Sequence, residues 1–337
     1  MRSSFLLAPL VLLSLAESGC ALKLRLINYA VRKPSNVAAY FTVDRANRDP
    51  VPGLTADRFR IYEDDSPVSI HESKQTILNP EVAAVHYTLL LVDMSGSVTQ
   101  SGQVPALQSA VQAFTQTVEK HQKVAVYAFD GDAKIHPLVG FGSGASAAGS
   151  VGSFKGRDPS TNLRGAVAEA LGVLKKALDA APQPLKFGTL VVFTDGTDRA
   201  NRVDRDTMMK AINDSEFDIF VVGVGAEIDR KELSAIGRTG AVFDANPAAM
   251  QKAFETVAQR IEGYTKRFYL LSYCSPARKG ERRLKIEAIA MDNQKGSLET
   301  VFNADGFGPQ CDPNQAPPFD TSLRNRKKGA DVGRPAK

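Results

Sequence analysis

The sequence predicts an α/β protein with a mostly parallel central sheet, inserted in or flanked by a β-sandwich domain. Three observations support this prediction. Short strand patterns separated by turn residues fill residues 22–80. Over residues 87–267, apolar strands alternate with amphipathic helices, which is typical of α/β proteins. Strand patterns return after residue 267, but they are too few to form a separate sandwich.

We place the N-terminal half of the β-sandwich at residues 20–85. Leu22, Leu24 and Leu26 alternate with charged residues, which indicates a strand with one buried face. Residues 37–43 form a β-branched and aromatic run, and residues 58–62 alternate again. Turn residues of the Asp-Pro and Pro-Gly type separate these runs.

The α/β domain is expected at residues 86–267. Its first strand, residues 87–93, is almost continuously apolar, as in buried parallel strands. The other strands are expected at 123–129, 188–194 and 217–224, with helices between them and a hairpin after residue 129. Residues 140–152 are rich in Gly, Ser and Ala, and we interpret them as a flexible surface loop.

Residues 268–305 are expected to contribute the last strands of the β domain, packed with the N-terminal strands. From residue 306 to residue 337, proline and charge dominate without periodicity, which predicts a disordered tail. Residues 324–337 contain six basic residues and one acidic residue. Their net charge equals the net charge of +5 of the whole chain. The body of the protein therefore carries no net basic excess, and we expect no nucleic-acid partner.

The first residues indicate export. Arg2 precedes an apolar run at residues 5–16, about half the ~20 residues that a membrane span needs. We therefore interpret residues 1–19 as a signal peptide. Residues 18–20, Ser-Gly-Cys, resemble a bacterial lipobox, although Glu17 stands where an aliphatic residue is usual.

The lipobox resemblance implies that Cys20 is lipidated and anchors the protein to a membrane of the bacterial cell envelope. Ordinary cleavage after Ala21, which would leave a soluble periplasmic or secreted protein, is the alternative. With Cys20 lipidated or removed, Cys274 and Cys311 remain as an even pair. In an oxidising compartment they could form a disulfide, the alternative being two free thiols.

Oxygen-bearing side chains lie where strands of the α/β domain end. Residues 93–97 have the pattern D-x-S-x-S, residues 193–196 read Phe-Thr-Asp-Gly, and residues 159–163 include Thr161 just before a helix. Ligands of open parallel sheets bind beyond the carboxyl ends of strands. We therefore expect the three segments to converge there.

These motifs, in this order, resemble the metal-ion-dependent adhesion site of a von Willebrand factor A domain, which has a Rossmann-like fold. The resemblance covers about residues 87–267. It implies that Ser95 and Ser97 bind a metal directly and that Thr161 binds it directly or through water. It implies that Asp93 and Asp195 act mainly through water. Residues 51–64 resemble the β domain that often precedes such A domains in bacterial envelope proteins.

The chemistry of the five side chains agrees with this resemblance. All offer oxygen, which suits a hard cation such as Mg²⁺, with Mn²⁺ or Ca²⁺ as alternatives. Zn²⁺ is not expected without Cys or His ligands. The neighbouring Ser160 could replace Thr161, since either hydroxyl could instead cap the following helix.

We expect a non-catalytic module that binds a protein partner. An Asp or Glu carboxylate of the partner would complete the coordination of the metal. The alternative is a structural or assembly scaffold of the envelope whose partner binding does not use the metal. A hydrolase is the least favoured hypothesis, because no general base stands out beside the site.

Overall fold

The computed structural model describes residues 22–80, 83–142, 146–315 and 317–319. The predicted signal peptide, Cys20 and residues 320–337 lie outside the described residues. Within the described ranges, no helix combines the length and apolar character that crossing a bilayer would require.

Two four-stranded antiparallel sheets form the β domain. The first has the strand order β1-β2-β12-β5 and the second β14-β13-β3-β4. Strands from both ends of the chain thus share each sheet, because the chain leaves the β domain after β5 and returns at β12. The strands are β1 (Lys23–Arg32), β2 (Asn36–Asp44), β3 (Phe59–Glu63), β4 (Ser66–Pro67), β5 (Thr76–Leu78), β12 (Phe268–Cys274), β13 (Glu281–Ile289) and β14 (Lys295–Asn303).

An aromatic and aliphatic core holds the two sheets together. Phe41 on β2 contacts Phe59 on β3 with ring centroids 5.6 Å apart, and both rings are buried. Ile286 on β13 pairs with Ile61 on β3, and both side chains join the same cluster. The alternation read in the sequence therefore places apolar side chains between the sheets.

The α/β domain contains a six-stranded sheet of order β11-β10-β9-β6-β7-β8. All neighbours are parallel except β7 and β8, which form the antiparallel hairpin. This confirms the predicted fold class, and antiparallel sheets flank the domain. The strands are β6 (Ala84–Asp93), β7 (Lys123–Phe129), β8 (His136–Val139), β9 (Leu185–Thr194), β10 (Asp218–Val224) and β11 (Gly240–Asp244).

Helices cover both faces of this sheet. Leu90 and Val92 of β6 point into one apolar cluster, and Leu89 and Leu91 point into the other, as expected for a strand buried on both sides. Helices α2, α3 and α7 pack on the first cluster, and α4, α5 and α6 pack on the second. The helices are α1 (Gly96–Gln100), α2 (Val104–Val118), α3 (Ala147–Ser153), α4 (Leu163–Asp179), α5 (Arg205–Asp214), α6 (Arg230–Ile236) and α7 (Met250–Lys266).

Two segments differ from the sequence predictions. Part of the predicted surface loop forms helix α3, because Ser146 caps its first turn and Val151 is buried against the sheet. Part of the predicted disordered tail, residues 306–315 and 317–319, is packed on the fold. Phe307 and Phe319 are buried there. These isolated apolar side chains hold a segment that contains no helix or strand.

Candidate metal site

The predicted site lies at the switch point of the six-stranded sheet. Strands β6 and β9 are neighbours, but the chain continues from β6 toward one edge of the sheet and from β9 toward the other. The loops that follow the two strands therefore diverge and leave a crevice at their carboxyl ends. Asp93 is the last residue of β6, and Asp195 directly follows β9.

Hydroxyl and carboxylate oxygens from both loops meet in this crevice. The Oγ atoms of Ser95 and Ser97 lie 3.1 Å apart. The Ser97 hydroxyl donates to Oδ1 of Asp195 across 2.7 Å, although the two residues are 98 positions apart in the chain. Ser95 and Ser97 begin helix α1, which the sequence analysis did not separate from the loop. Three of the five predicted ligands are thus in direct contact.

Each oxygen of the buried Asp93 carboxylate accepts a local hydrogen bond. Its Oδ1 accepts from the backbone N–H of Ser95 at 3.0 Å, which shapes the loop around the two serines. Its Oδ2 accepts from the hydroxyl of Thr194 at 2.6 Å. Asp93 therefore joins the ends of β6 and β9.

The segment that carries Thr161 is bound to both other loops. The carbonyl of Pro159 accepts from the N–H of Gly96 at 2.8 Å, and the carbonyl of Thr161 accepts from the N–H of Arg199 at 2.9 Å. A β-carbon at Gly96 would lie 3.1 Å from the Pro159 carbonyl oxygen, so this close approach favours glycine. Thr161 itself is buried, with 4% of its surface exposed.

Neither Ser160 nor Thr161 caps helix α4. The N-cap residue of α4 is Asn162, and its side chain makes no capping hydrogen bond. Instead, a carboxylate oxygen of Asp198 accepts from the N–H of Arg164 at 2.8 Å. A negative side chain at a helix N-terminus is stabilising, and this one comes from the loop after β9.

The site carries two buried carboxylates, those of Asp93 and Asp195. Burial, and to a smaller extent the charge of Asp195, raise the pKa of Asp93 to about 6, although the hydrogen bond from Thr194 opposes this rise. Burial also raises the pKa of Asp195. Neither carboxylate lies within 4.0 Å of a described Lys, Arg or His nitrogen. Buried charges are normally paired or bound to metals, so a divalent cation fits this donor set of carboxylates and hydroxyls.

The site does not depend on a dense cluster of acidic or nitrogen ligands. Among the described residues, no group of three or more His, Cys, Asp or Glu side chains is placed to hold a metal. The crevice offers carboxylate and hydroxyl oxygens instead, which suit a divalent cation.

Two interactions that hold the Thr161 segment in place were not predicted from the sequence. Asp130 is buried and accepts from the backbone N–H groups of Asp132, Arg157 and Asp158. Although burial opposes its ionisation, these donors lower the pKa of Asp130. The interaction anchors the start of the segment that carries Thr161. Its only sequence signal was an acidic residue at the end of a buried strand.

The second supporting interaction is a buried ion pair behind Thr161. Nε of Arg164 lies 2.7 Å from Oε1 of Glu232, and a second nitrogen contacts the other carboxylate oxygen. Glu232 is 7% exposed. The pair joins the first residues of α4 to α6. Its two residues are 68 positions apart, so no local sequence pattern indicates the contact.

The remaining predicted residues lie in the β domain or before it. Cys274 and Cys311 are joined as a disulfide, with Cα atoms 5.7 Å apart. The bond attaches the segment after β14 to the end of β12. Cys20 lies outside the described residues.

The comparison with protein families decides the classification of the α/β domain. The model of the von Willebrand factor type A domain matches residues 89–271, over half of the chain. The chain belongs to this family. Its α/β domain, with the Rossmann-like arrangement described above, is therefore a VWA domain. Such domains are generally interaction modules rather than enzymes. No curated protein matches the chain in sequence.

Several solved structures resemble the chain at low sequence identity. A von Willebrand factor type A protein from Catenulispora acidiphila is 14% identical, with a TM-score of 0.47 over 85% of this chain and 74% of that one. Manganese-loaded TRAP protein from Plasmodium vivax is 14% identical, with a TM-score of 0.43 over 74% and 99%. Mussel byssus proximal thread matrix protein 1 with a zinc-occupied MIDAS motif is 14% identical, with a TM-score of 0.41 over 60% and 49%. The chain thus spans about half the length of the mussel protein.

Proposed function

We propose that this protein is a non-catalytic, divalent-metal-dependent binding module, exported and anchored by a lipid at Cys20 in the bacterial cell envelope. The metal-ion-dependent adhesion site consists of Asp93, Ser95, Ser97, Thr161 and Asp195. Mg²⁺ is the preferred ion, with Mn²⁺ or Ca²⁺ as alternatives. The partner is a protein that offers an Asp or Glu carboxylate.

The observation that carries this proposal is the contact between Ser95, Ser97 and Asp195 beside the buried carboxylate of Asp93. Two hydroxyls and one carboxylate from opposite loops are within hydrogen-bond distance of each other. In a VWA domain the two serine hydroxyls would hold the ion directly and Asp195 mainly through water, with Asp93 orienting the loop through the Ser95 N–H. When bound, the ion would supply positive charge and an open coordination position for a carboxylate of the partner.

Charge balance supports the choice of an acidic partner. Two carboxylates neutralise a divalent ion, and hydroxyl ligands add no further negative charge. An additional carboxylate is therefore attracted to the ion, whereas a cationic group is not. We favour binding over hydrolysis because VWA domains are generally interaction modules rather than enzymes.

Two features support export. The sequence up to residue 20 has the organisation of a signal peptide followed by a lipobox-like Cys20. The disulfide between Cys274 and Cys311 is of a kind that persists in oxidising compartments and is rare in the cytosol. Two acyl chains suffice for stable membrane anchoring.

The test is thermal unfolding of the chain that begins at Leu22, in EDTA and in a series of Mg²⁺ concentrations. A ligand at about 100 times its Kd stabilises a protein by ~2.7 kcal/mol, which corresponds to several degrees for a chain of this size. We expect a saturable increase in Tm for the wild type. Ser95→Ala should lose this increase.

The matched control is Ser109→Ala, which removes an exposed hydroxyl on α2 that donates only to the Pro105 carbonyl. It should retain the wild-type response to Mg²⁺. The same increase in Ser95→Ala and in the wild type would contradict the proposed site. A wild type without any response to Mg²⁺, Mn²⁺ or Ca²⁺ would favour the metal-independent scaffold instead.

A further inference from the structure

Three segments meet where the described chain begins, at one end of the β domain. The N–H of Leu22 donates to the carbonyl of Lys295 at 2.9 Å, so the start of β1 lies on the turn between β13 and β14. Arg45, in the turn after β2, forms an ion pair of 2.6 Å with Asp292 in that same turn. We call the exposed surface of residues 22–23, 45–49 and 291–295 the N-terminal patch.

The N-terminal patch combines positive charge with an exposed apolar side chain. Lys23, Arg48 and Lys295 are exposed, and none of them forms an ion pair with a described side chain. The acidic residues of the patch are Asp292, which is paired with Arg45, and Asp49. Met291 is 66% exposed, the largest value among the large apolar side chains of the described residues. Basic residues around an exposed apolar side chain suit an anionic lipid surface.

The length of chain before the patch determines what can cover it. Leu22 is buried and hydrogen-bonded, and Cys20 precedes it by only two residues. Two extended residues span at most about 7 Å. The headgroup region of a bilayer leaflet is about as thick. A lipid on Cys20 would therefore leave no room for a gap between the patch and the bilayer.

We propose that the N-terminal patch lies against the anionic surface of the bilayer that holds the Cys20 lipid. This inference rests on the lipid anchor of the proposed function and adds the orientation of the protein. The fold reaches the membrane directly rather than through a flexible linker.

The metal site and the N-terminal patch are far apart in the structure. The patch adjoins the junction between the two domains, since Asp44 pairs with Lys23 in the sheet and lies 3.5 Å from Arg267 at the end of α7. Strand β6, which is ten residues long, starts near this junction and ends at Asp93. Ten strand residues span about 30 Å, so the adhesion site lies at the end of the VWA domain opposite the junction.

The test measures membrane proximity in the full acylated chain, reconstituted in vesicles of phosphatidylethanolamine and phosphatidylglycerol. Cys20 is acylated and the other cysteines are in the disulfide, so a single introduced cysteine accepts a fluorophore. The label is placed at Met291→Cys or, as the matched control near the metal site, at the exposed Ala226→Cys. Nitroxide-bearing lipids then quench labels that lie at the bilayer surface.

We expect loss of fluorescence for the label at 291 and none for the label at 226. The substitutions Lys23→Gln and Lys295→Gln together should reduce quenching at 291, whereas Lys231→Gln with Lys252→Gln should not. Equal quenching at the two labels, or stronger quenching at 226, would overturn the orientation. Absence of acylation at Cys20, read by mass spectrometry, would also overturn it. In both cases the Mg²⁺-dependent Tm would still report separately on the adhesion site.

Discussion

One contribution to the pH dependence of stability should come from His86, at the junction between the two domains. Its ring stacks on Phe187 with centroids 4.8 Å apart and meets Phe268 at 5.1 Å. Burial, and secondly the positive charge of Arg267, lower the pKa of His86 to about 4. The ring is therefore neutral in the folded protein at pH values where an unfolded chain protonates it.

The sign and size of the effect follow from this pKa. Above pH 6.5 the ring is neutral in both states and contributes no pH dependence. As the pH falls from 6.5 to about 4, only the unfolded state gains a proton on His86. The contribution of this ring to the free energy of unfolding therefore falls by ~1.4 kcal/mol per pH unit. Between pH 7.5 and pH 4.5 this amounts to about 2.5 kcal/mol, and the loss levels off below pH 4.

The assay is urea denaturation, followed by circular dichroism in EDTA, of the wild type and of His86→Phe. The variant keeps an aromatic ring between Phe187 and Phe268 but cannot titrate. The free-energy difference between wild type and variant should shift by about 2.5 kcal/mol in favour of the variant between pH 7.5 and pH 4.5. His71→Phe, at an exposed position, should parallel the wild type. Parallel curves for His86→Phe and wild type would refute the reasoning.

Three further predictions concern the ion pair behind the site, the disulfide and the buried carboxylate. Glu232→Ala leaves the guanidinium of Arg164 without its partner and should cost about 3 kcal/mol in urea denaturation. The double variant Arg164→Met with Glu232→Leu should recover most of that loss, and a double variant no more stable than the single one would contradict the prediction. Cys311→Ser opens a loop of 37 residues and should destabilise by about 4 kcal/mol. A Tm equal to that of the oxidised wild type would refute this. Because Asp93 has a pKa of about 6, its protonation should weaken Mg²⁺ binding as the pH falls below 6, toward tenfold per pH unit. Calorimetric titrations between pH 7.5 and pH 4.5 measure this, and a constant affinity would show that the ionised carboxylate is not required.

Local patterns predicted the elements of the VWA domain because each pattern matches the environment of its element. Strand β6 is apolar on both faces since helices cover both sides of the sheet. The D-x-S-x-S motif was recognisable because its donors lie within five consecutive residues. Helix α3 was missed, since a segment of Gly, Ser and Ala has little periodicity and is held by one buried valine and a serine cap.

The segment after residue 305 shows a different limit of sequence reasoning. Its prolines and polar residues predicted disorder, yet Phe307, Cys311 and Phe319 are buried. Isolated anchors of this kind have no periodicity, so their packing depends on surfaces built by distant strands. The ring of Phe319, for example, meets that of Tyr40 on β2.

The amino-acid sequence by itself determined the alternation of strands and helices, the return of strands at the end of the chain and the identity of the candidate ligands. These features are encoded over a few neighbouring residues. Only the tertiary structure decided which oxygens meet. The Thr194 hydroxyl holds Asp93 from 101 residues away, Ser97 reaches Asp195 across the switch point, and Asp198 caps the helix behind Thr161. Such contacts depend on the order of strands in the sheet, which brings distant residues together and leaves no local trace in the sequence.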